Sequence, residues 1–130
     1  MAKATLKRSK KTRRNVIEGV ISINASFNNT HVVVCDTEGK VLTWATGGSA
    51  GFKGAREATP YAAQITSESA CSKAKTMHSM EKAKVLVKGI GAGREQAIRG
   101  VINSGIDLIG IFDITPVPHN GCRKKKVRKL

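Results

Sequence analysis

Aromatic side chains are scarce in this chain: one Trp, one Tyr and three Phe among 130 residues. A core must therefore be assembled from Val, Ile, Leu and Ala, which are abundant enough to do it without a metal. Cysteine is nearly as rare. Three thiols at scattered positions, an odd number, argue against a disulfide framework and for a reducing compartment. Cys35 in an apolar run and Cys71 in a helical stretch read as small core residues. No apolar run approaches the roughly 18 residues that a membrane span requires. Residues 1–14 lack the apolar segment of a secretory signal and the amphipathic periodicity of a mitochondrial presequence. Carboxylates are few as well, nine against 23 Lys and Arg, giving a formal net charge of +14.

The placement of that charge says more than its size. Seven cations fall in residues 1–14 and six in residues 123–130, with no carboxylate in either segment. Ten cations and nine carboxylates remain for the body. A nearly neutral globule with two basic ends fits a protein whose ends enter nucleic acid better than one that spreads charge for solubility. The expected division is a basic arm over 1–14, a globular RNA-binding domain over 15–122 and a basic tail over 123–130, both ends disordered until a polyanion orders them. The cations expected to meet phosphates are Lys7, Arg8, Lys10, Lys11, Arg13 and Arg14 in the arm. In the tail they are Arg123, Lys124, Lys125, Lys126, Arg128 and Lys129.

Between these ends the pattern predicts strands over 16–23, 31–36, 41–46, 84–88 and 107–114. In the first, Ile17, Gly19, Ile21 and Ile23 share a face. Thr37-Glu38-Gly39-Lys40 reads as a hairpin loop. Thr59 as N-cap and Pro60 at the first helical position open a helix to about Met77, since proline there gives up an N–H that has no helical partner anyway. Ala63, Ser67, Ala70, Ala74 and Met77 give it a narrow face of small residues. A second helix buries Ala97, Ile98, Val101 and Ile102, and Gly105 caps it. The order β-β-β-α-β-α-β predicts a single α/β domain with a mixed five-stranded sheet and two main helices.

Two glycine-rich loops stand out. In residues 89–94, Gly89, Gly91, Gly93 and Arg94 lie between a strand and a helix, a place for either a concave anion site or a tight turn that needs glycine for geometry alone. Residues 47–56 carry Lys53 and Arg56 but fail the Walker spacing, so nucleotide hydrolysis has no support. Phe52 and Trp44 are candidates for stacking on a base or for the edge of the core. His119 and Cys122 have a metal-like spacing without a second pair, so no metal or cofactor is expected. His31 and His78 have no nucleophile to serve. Asp36, Asp107 and Asp113, at strand ends, are the one hint of the alternative, a metal-dependent nuclease; a free-standing RNA chaperone is the other rival.

Several blocks have a collective resemblance. They are Ala25-Ser26-Phe27-Asn28-Asn29-Thr30, Gly51-Phe52-Lys53-Gly54, Thr59-Pro60-Tyr61-Ala62-Ala63-Gln64, Lys88-Gly89 with Gly91, and Gly93-Arg94-Glu95. The last runs from Asp113-Ile114-Thr115-Pro116 through Pro118-His119-Asn120-Gly121-Cys122-Arg123. Together they resemble the S-eleven family of small-subunit ribosomal proteins in its bacterial and organellar form. The resemblance implies a ribonuclease-H-like fold without catalytic acids and a structural, non-enzymatic role in translation. It also implies binding to small-subunit ribosomal RNA on the platform, beside the messenger exit path and the exit site for transfer RNA. Implied partners are the seventh and eighteenth small-subunit proteins and the messenger, with no membrane. The implied location is the ribosome of a bacterial cytoplasm or of a plastid or mitochondrial interior. RNA contacts would fall on Asn28, Asn29, Lys53, Arg56, the 89–94 loop and the tail from His119, Asn120 and Gly121 onward. Where the family usually has Pro-Pro-Lys after Cys-Arg, this chain has Lys124-Lys125-Lys126, which keeps charge and drops a stiff step.

Asn120-Gly121 is sterically open to succinimide formation. Alkaline ageing of the free protein should convert Asn120 slowly to isoaspartate, seen as a shifted retention time of its peptide; an unshifted profile would contradict this.

Overall fold

The computed structural model describes residues 14–129. Lys7, Arg8, Lys10, Lys11 and Arg13 lie outside the described residues. The elements are β1 (Glu18–Ala25), β2 (Thr30–Asp36), β3 (Val41–Thr46), α1 (Pro60–His78), β4 (Lys82–Lys88), α2 (Arg94–Asn103) and β5 (Asp107–Asp113). A short 3-10 turn, Gly54–Ala58, precedes α1 and was not foreseen. The strands form one mixed sheet in the order β3-β2-β1-β4-β5. β1, β2 and β3 are an antiparallel meander, while β4 and β5 run parallel to β1. The predicted element order and fold class are those observed.

β1 and β4 are shifted from expectation because their pairing sets their ends. Val16 donates its N–H to the His78 carbonyl, and the Ile17 carbonyl accepts from Glu81 and Lys82, so Val16 holds the end of α1 and Ile17 the start of β4, ahead of the paired strand. Ile17, expected inward, is 61% exposed. The strand instead continues to Asn24 and Ala25, and β4 begins at Lys82 opposite Glu18. The hairpin is as predicted. Gly39 takes φ +90°, and the Asp36 carboxylate accepts the N–H groups of Glu38 and Lys40 at 3.0 and 2.8 Å.

Thr59 caps α1 through its hydroxyl, which accepts the Ala62 N–H at 3.3 Å. Ala63, Ser67, Ala70 and Ala74 are buried as expected, joined by Ala62, Thr66, Cys71 and His78. The seam is wider than one face because α1 packs against both the sheet and α2, and Met77 is left part-exposed. On α2 the buried positions are Ala97, Gly100 and Val101. Ile102, expected inside, is 55% exposed, being about 100° further round the helix than Val101. Gly100 takes the place in the seam expected of Ile102, since its missing side chain lets the helices approach.

The core is aliphatic, with Ile21, Ile23, Val32, Val34, Val85, Val87, Val101 and Met80 at its centre and no aromatic among the described residues. Cys71 is fully buried, and burial pushes its thiol up to about 12. Cys35 corrects its expected core position: its side chain lies half-buried on the opposite face of the sheet, in register with Val20 and Val41.

A Cβ on Gly100 would be driven into Ser67 Oγ and the Gln64 carbonyl. In an open helix Gly→Ala gains about 1 kcal/mol. Here Gly100→Ala should instead cost about 1–3 kcal/mol, read as a lower urea midpoint at unchanged slope. A raised midpoint would show that the helices part freely.

Candidate nucleic-acid interface

Parallel pairing puts the carboxyl ends of β1, β4 and β5 at one end of the sheet. The antiparallel partners bring the start of β2 and the end of β3 to the same end. Four segments that the sequence singled out are thereby neighbours: the 26–29 turn, the 47–56 loop, the 89–93 loop and the exit from β5. The last leads into residues 114–129, which form neither helix nor strand and of which all but Thr115 are exposed. Arg14 is at the other end, 3.6 Å from the Asp36 carboxylate and with its carbonyl oxygen 2.8 Å from His78 Nδ1. Arg14 and the root of the tail thus lie at opposite ends of the body.

The loops are fastened to each other by backbone. Asn29 Oδ1 accepts the N–H groups of Thr30 and Gly47, at 2.7 and 3.1 Å, tying the first turn to the second loop. Gly91 donates its N–H to the Ala25 carbonyl at 2.9 Å, and Gly89, at φ +102°, donates to the Thr115 hydroxyl at 3.2 Å. A Cβ at Gly89 or Gly91 would be driven into the carbonyls of Ala25 and Ser26. Of the two readings left open for this loop, close backbone packing is what these two glycines serve, and their amides are spent inside the chain. They do not form an anion nest.

Arg94 is likewise engaged. Its guanidinium donates to the Gly89 carbonyl at 2.6 Å and to the Asp113 carboxylate at 2.7 Å. Asp113 also accepts the Thr115 hydroxyl at 2.6 Å and the Thr115 N–H at 3.0 Å. These hydrogen bonds, Thr115 first and then Arg94, hold the Asp113 carboxyl well below the usual carboxylate range. The network clamps the start of the tail to the 89–93 loop. Neither Asp113 nor Thr115 was expected in this role, although an Asp followed two residues later by Thr is the spacing of an Asx-turn.

Lys53, Arg56 and Asn28 are exposed beside these loops, as are His119, Asn120, Gly121 and the tail cations Arg123 to Lys129. Asn120 adopts φ +53°, the left-handed geometry expected of the Asn-Gly turn. Phe27 projects from the first turn, exposed. Phe52 is half-buried and meets Tyr61 edge to face with ring centroids 5.8 Å apart. The three Asp residues are dispersed. Register puts Asp36 and Asp113 at opposite ends of the sheet, and Asp107 is three strands from Asp36, roughly 14 Å. The described residues hold no cluster of three potential metal ligands.

A mixed five-stranded sheet with two helices, glycine-packed loops and exposed cations at one end makes this a single α/β domain. The family model for ribosomal protein S11 matches residues 19–129. The small ribosomal subunit protein uS11 of Borreliella burgdorferi is 50% identical over 129 residues, spanning 99% of this chain and 98% of its own. That of Aquifex aeolicus is 47% identical over 124 residues, 95% of this chain and 98% of its own. That of Aromatoleum aromaticum is 47% identical over 130 residues, the whole of both. The chain belongs to the ribosomal protein S11 family and is a structural constituent of the small ribosomal subunit, not an enzyme.

Because the folded carboxyl of Asp113 titrates lower than the unfolded one, its contribution to stability is complete above the unfolded value of about 3.9 and is lost as pH falls through the folded one. The stability difference between the native chain and Asp113→Asn should be flat above about pH 5 and shrink in more acid solution. Urea midpoints at several pH values check this; a difference independent of pH would contradict it.

Proposed function

We propose that the chain binds small-subunit ribosomal RNA and holds helices of the platform together beside the messenger exit path. The observation that carries this is the convergence of the 26–29, 47–56 and 89–93 loops with the root of a tail carrying six cations. Tail and arm cations neutralise phosphates, and the fixed loops set register through Asn28, Lys53, Arg56 and the backbone around them. Arg94 acts through Asp113 by aiming the tail. Backbone contacts fix position and carry little base information, which suits a protein that recognises a folded RNA by its shape. Lacking the Pro-Pro step, the tail tracks phosphates by charge more than by stiffness. The neighbours in this reading are the seventh and eighteenth small-subunit proteins and the messenger near the exit channel. The setting is a ribosome in a bacterial cytoplasm or an organelle.

If about six tail cations each release a counterion, affinity for the RNA should fall ~10³-fold over a fourfold rise in salt. Deleting residues 123–130 should flatten that dependence, measured by filter binding across a salt series. An unchanged slope would remove the tail from the mechanism.

A further inference from the structure

The strand registers lay a row of side chains across the face of the sheet that the helices leave open. Trp44 is opposite Val33, Val33 opposite Ser22, Ser22 opposite Leu86 and Leu86 opposite Phe112. Residues in register share a face. The alternate positions of these strands, among them Ile21, Val32, Val34 and Val85, are the buried ones, so this row looks outward. Trp44 stands on one edge strand, 59% exposed, and Phe112 on the other, 50% exposed. Four strand spacings of about 4.8 Å separate them by roughly 19 Å.

Leaving two large rings in water forfeits burial that a chain so poor in aromatics had every reason to use. Gly110 sits under the Phe112 ring: a Cβ there would be 3.1 Å from it, so the glycine makes room for the ring to rest against the sheet. On the same face β4 presents Lys82, Lys84 and Lys88; Lys82 lies between its register partners Glu18 and Asp107, while Lys84 and Lys88 have neutral residues beside them. Half-buried Val33, Ser22 and Leu86 keep the strip between the rings low.

We propose that this open face is a platform for unpaired RNA bases, with Trp44 and Phe112 each stacking a base and Lys84 and Lys88 meeting the phosphates between. The proposal rests on the RNA-binding reading above and adds a second surface to it, apart from the loops and the tail. A duplex presents no free base faces to such a strip, whereas single-stranded or splayed nucleotides do. Lys84 and Lys88, with no carboxylate in register beside them, favour a polyanion over an apolar patch on a protein.

Trp44 is the chain's one tryptophan, so stacking on it is directly visible. Titrating the full-length protein with an eight-nucleotide single-stranded RNA should quench its fluorescence in parallel with the anisotropy of a labelled copy. Phe112→Leu and Trp44→Leu should each weaken binding roughly 5- to 150-fold, with melting temperatures near that of the native chain. A hairpin of the same length of paired RNA should bind without the quench. Binding of the oligonucleotide with no quench and unaltered in both variants would overturn the platform while leaving the RNA-binding reading intact. No binding of either RNA would overturn both. In assembled small subunits, a photo-crosslinking side chain in place of Trp44 should couple to RNA; coupling to protein would give the face to a protein partner and also overturn the proposal.

Discussion

Parallel pairing of β4 with β1 is the constraint on which the rest depends. In an antiparallel extension the 89–93 loop and the root of the tail would fall at opposite ends. With β1, β4 and β5 parallel, each strand delivers its following segment to one side. Open α/β sheets bind their ligands outside the carboxyl ends of their strands for this reason. The crossovers that make such pairing possible are α1 and α2, and their small-residue seams, Ala63, Ser67 and Ala70 against Ala97 and Gly100, permit both helices to sit on one face. A single-sided helical layer leaves the other face of the sheet open.

Rigidity at the carboxyl end comes from backbone contact more than from charge. Asn29 bridges two loops, Gly91 reaches the Ala25 carbonyl, and Arg94 joins the loop to Asp113 and through it to Thr115. Ordering these groups beforehand means that binding need not supply the entropy of ordering them. Beyond that clamp the tail cations are exposed and in neither helix nor strand. In the proposed function, the fixed loops supply position and the exposed tail supplies affinity.

Element types and order were legible in the sequence because the signals were local. Thr59-Pro60, the Thr37–Lys40 turn and Gly105 are decided by backbone chemistry within a few residues. The misplaced details were those fixed by distant partners. Ile17 is held by the start of β4, Ile102 is turned outward by the Gly100 contact, and Cys35 faces away from the helices because of its register with Val20. At the candidate site, the residue types were readable and their duties were not. Arg94 reads as a phosphate ligand until Asp113, 19 residues away, is seen to claim it. The glycines of the 89–93 loop read equally well as an anion cradle until the Ala25 carbonyl is found against them.

The account's central claim is that RNA meets the carboxyl end of the sheet. Crosslinking the assembled small subunit with ultraviolet light and mapping the modified peptides by mass spectrometry tests it most directly. The account predicts RNA adducts in residues 26–29, 47–56 and 115–129. Adducts confined to the opposite end of the body, at residues 37–40 and 79–81, with none at the carboxyl-end loops or the tail, would contradict it.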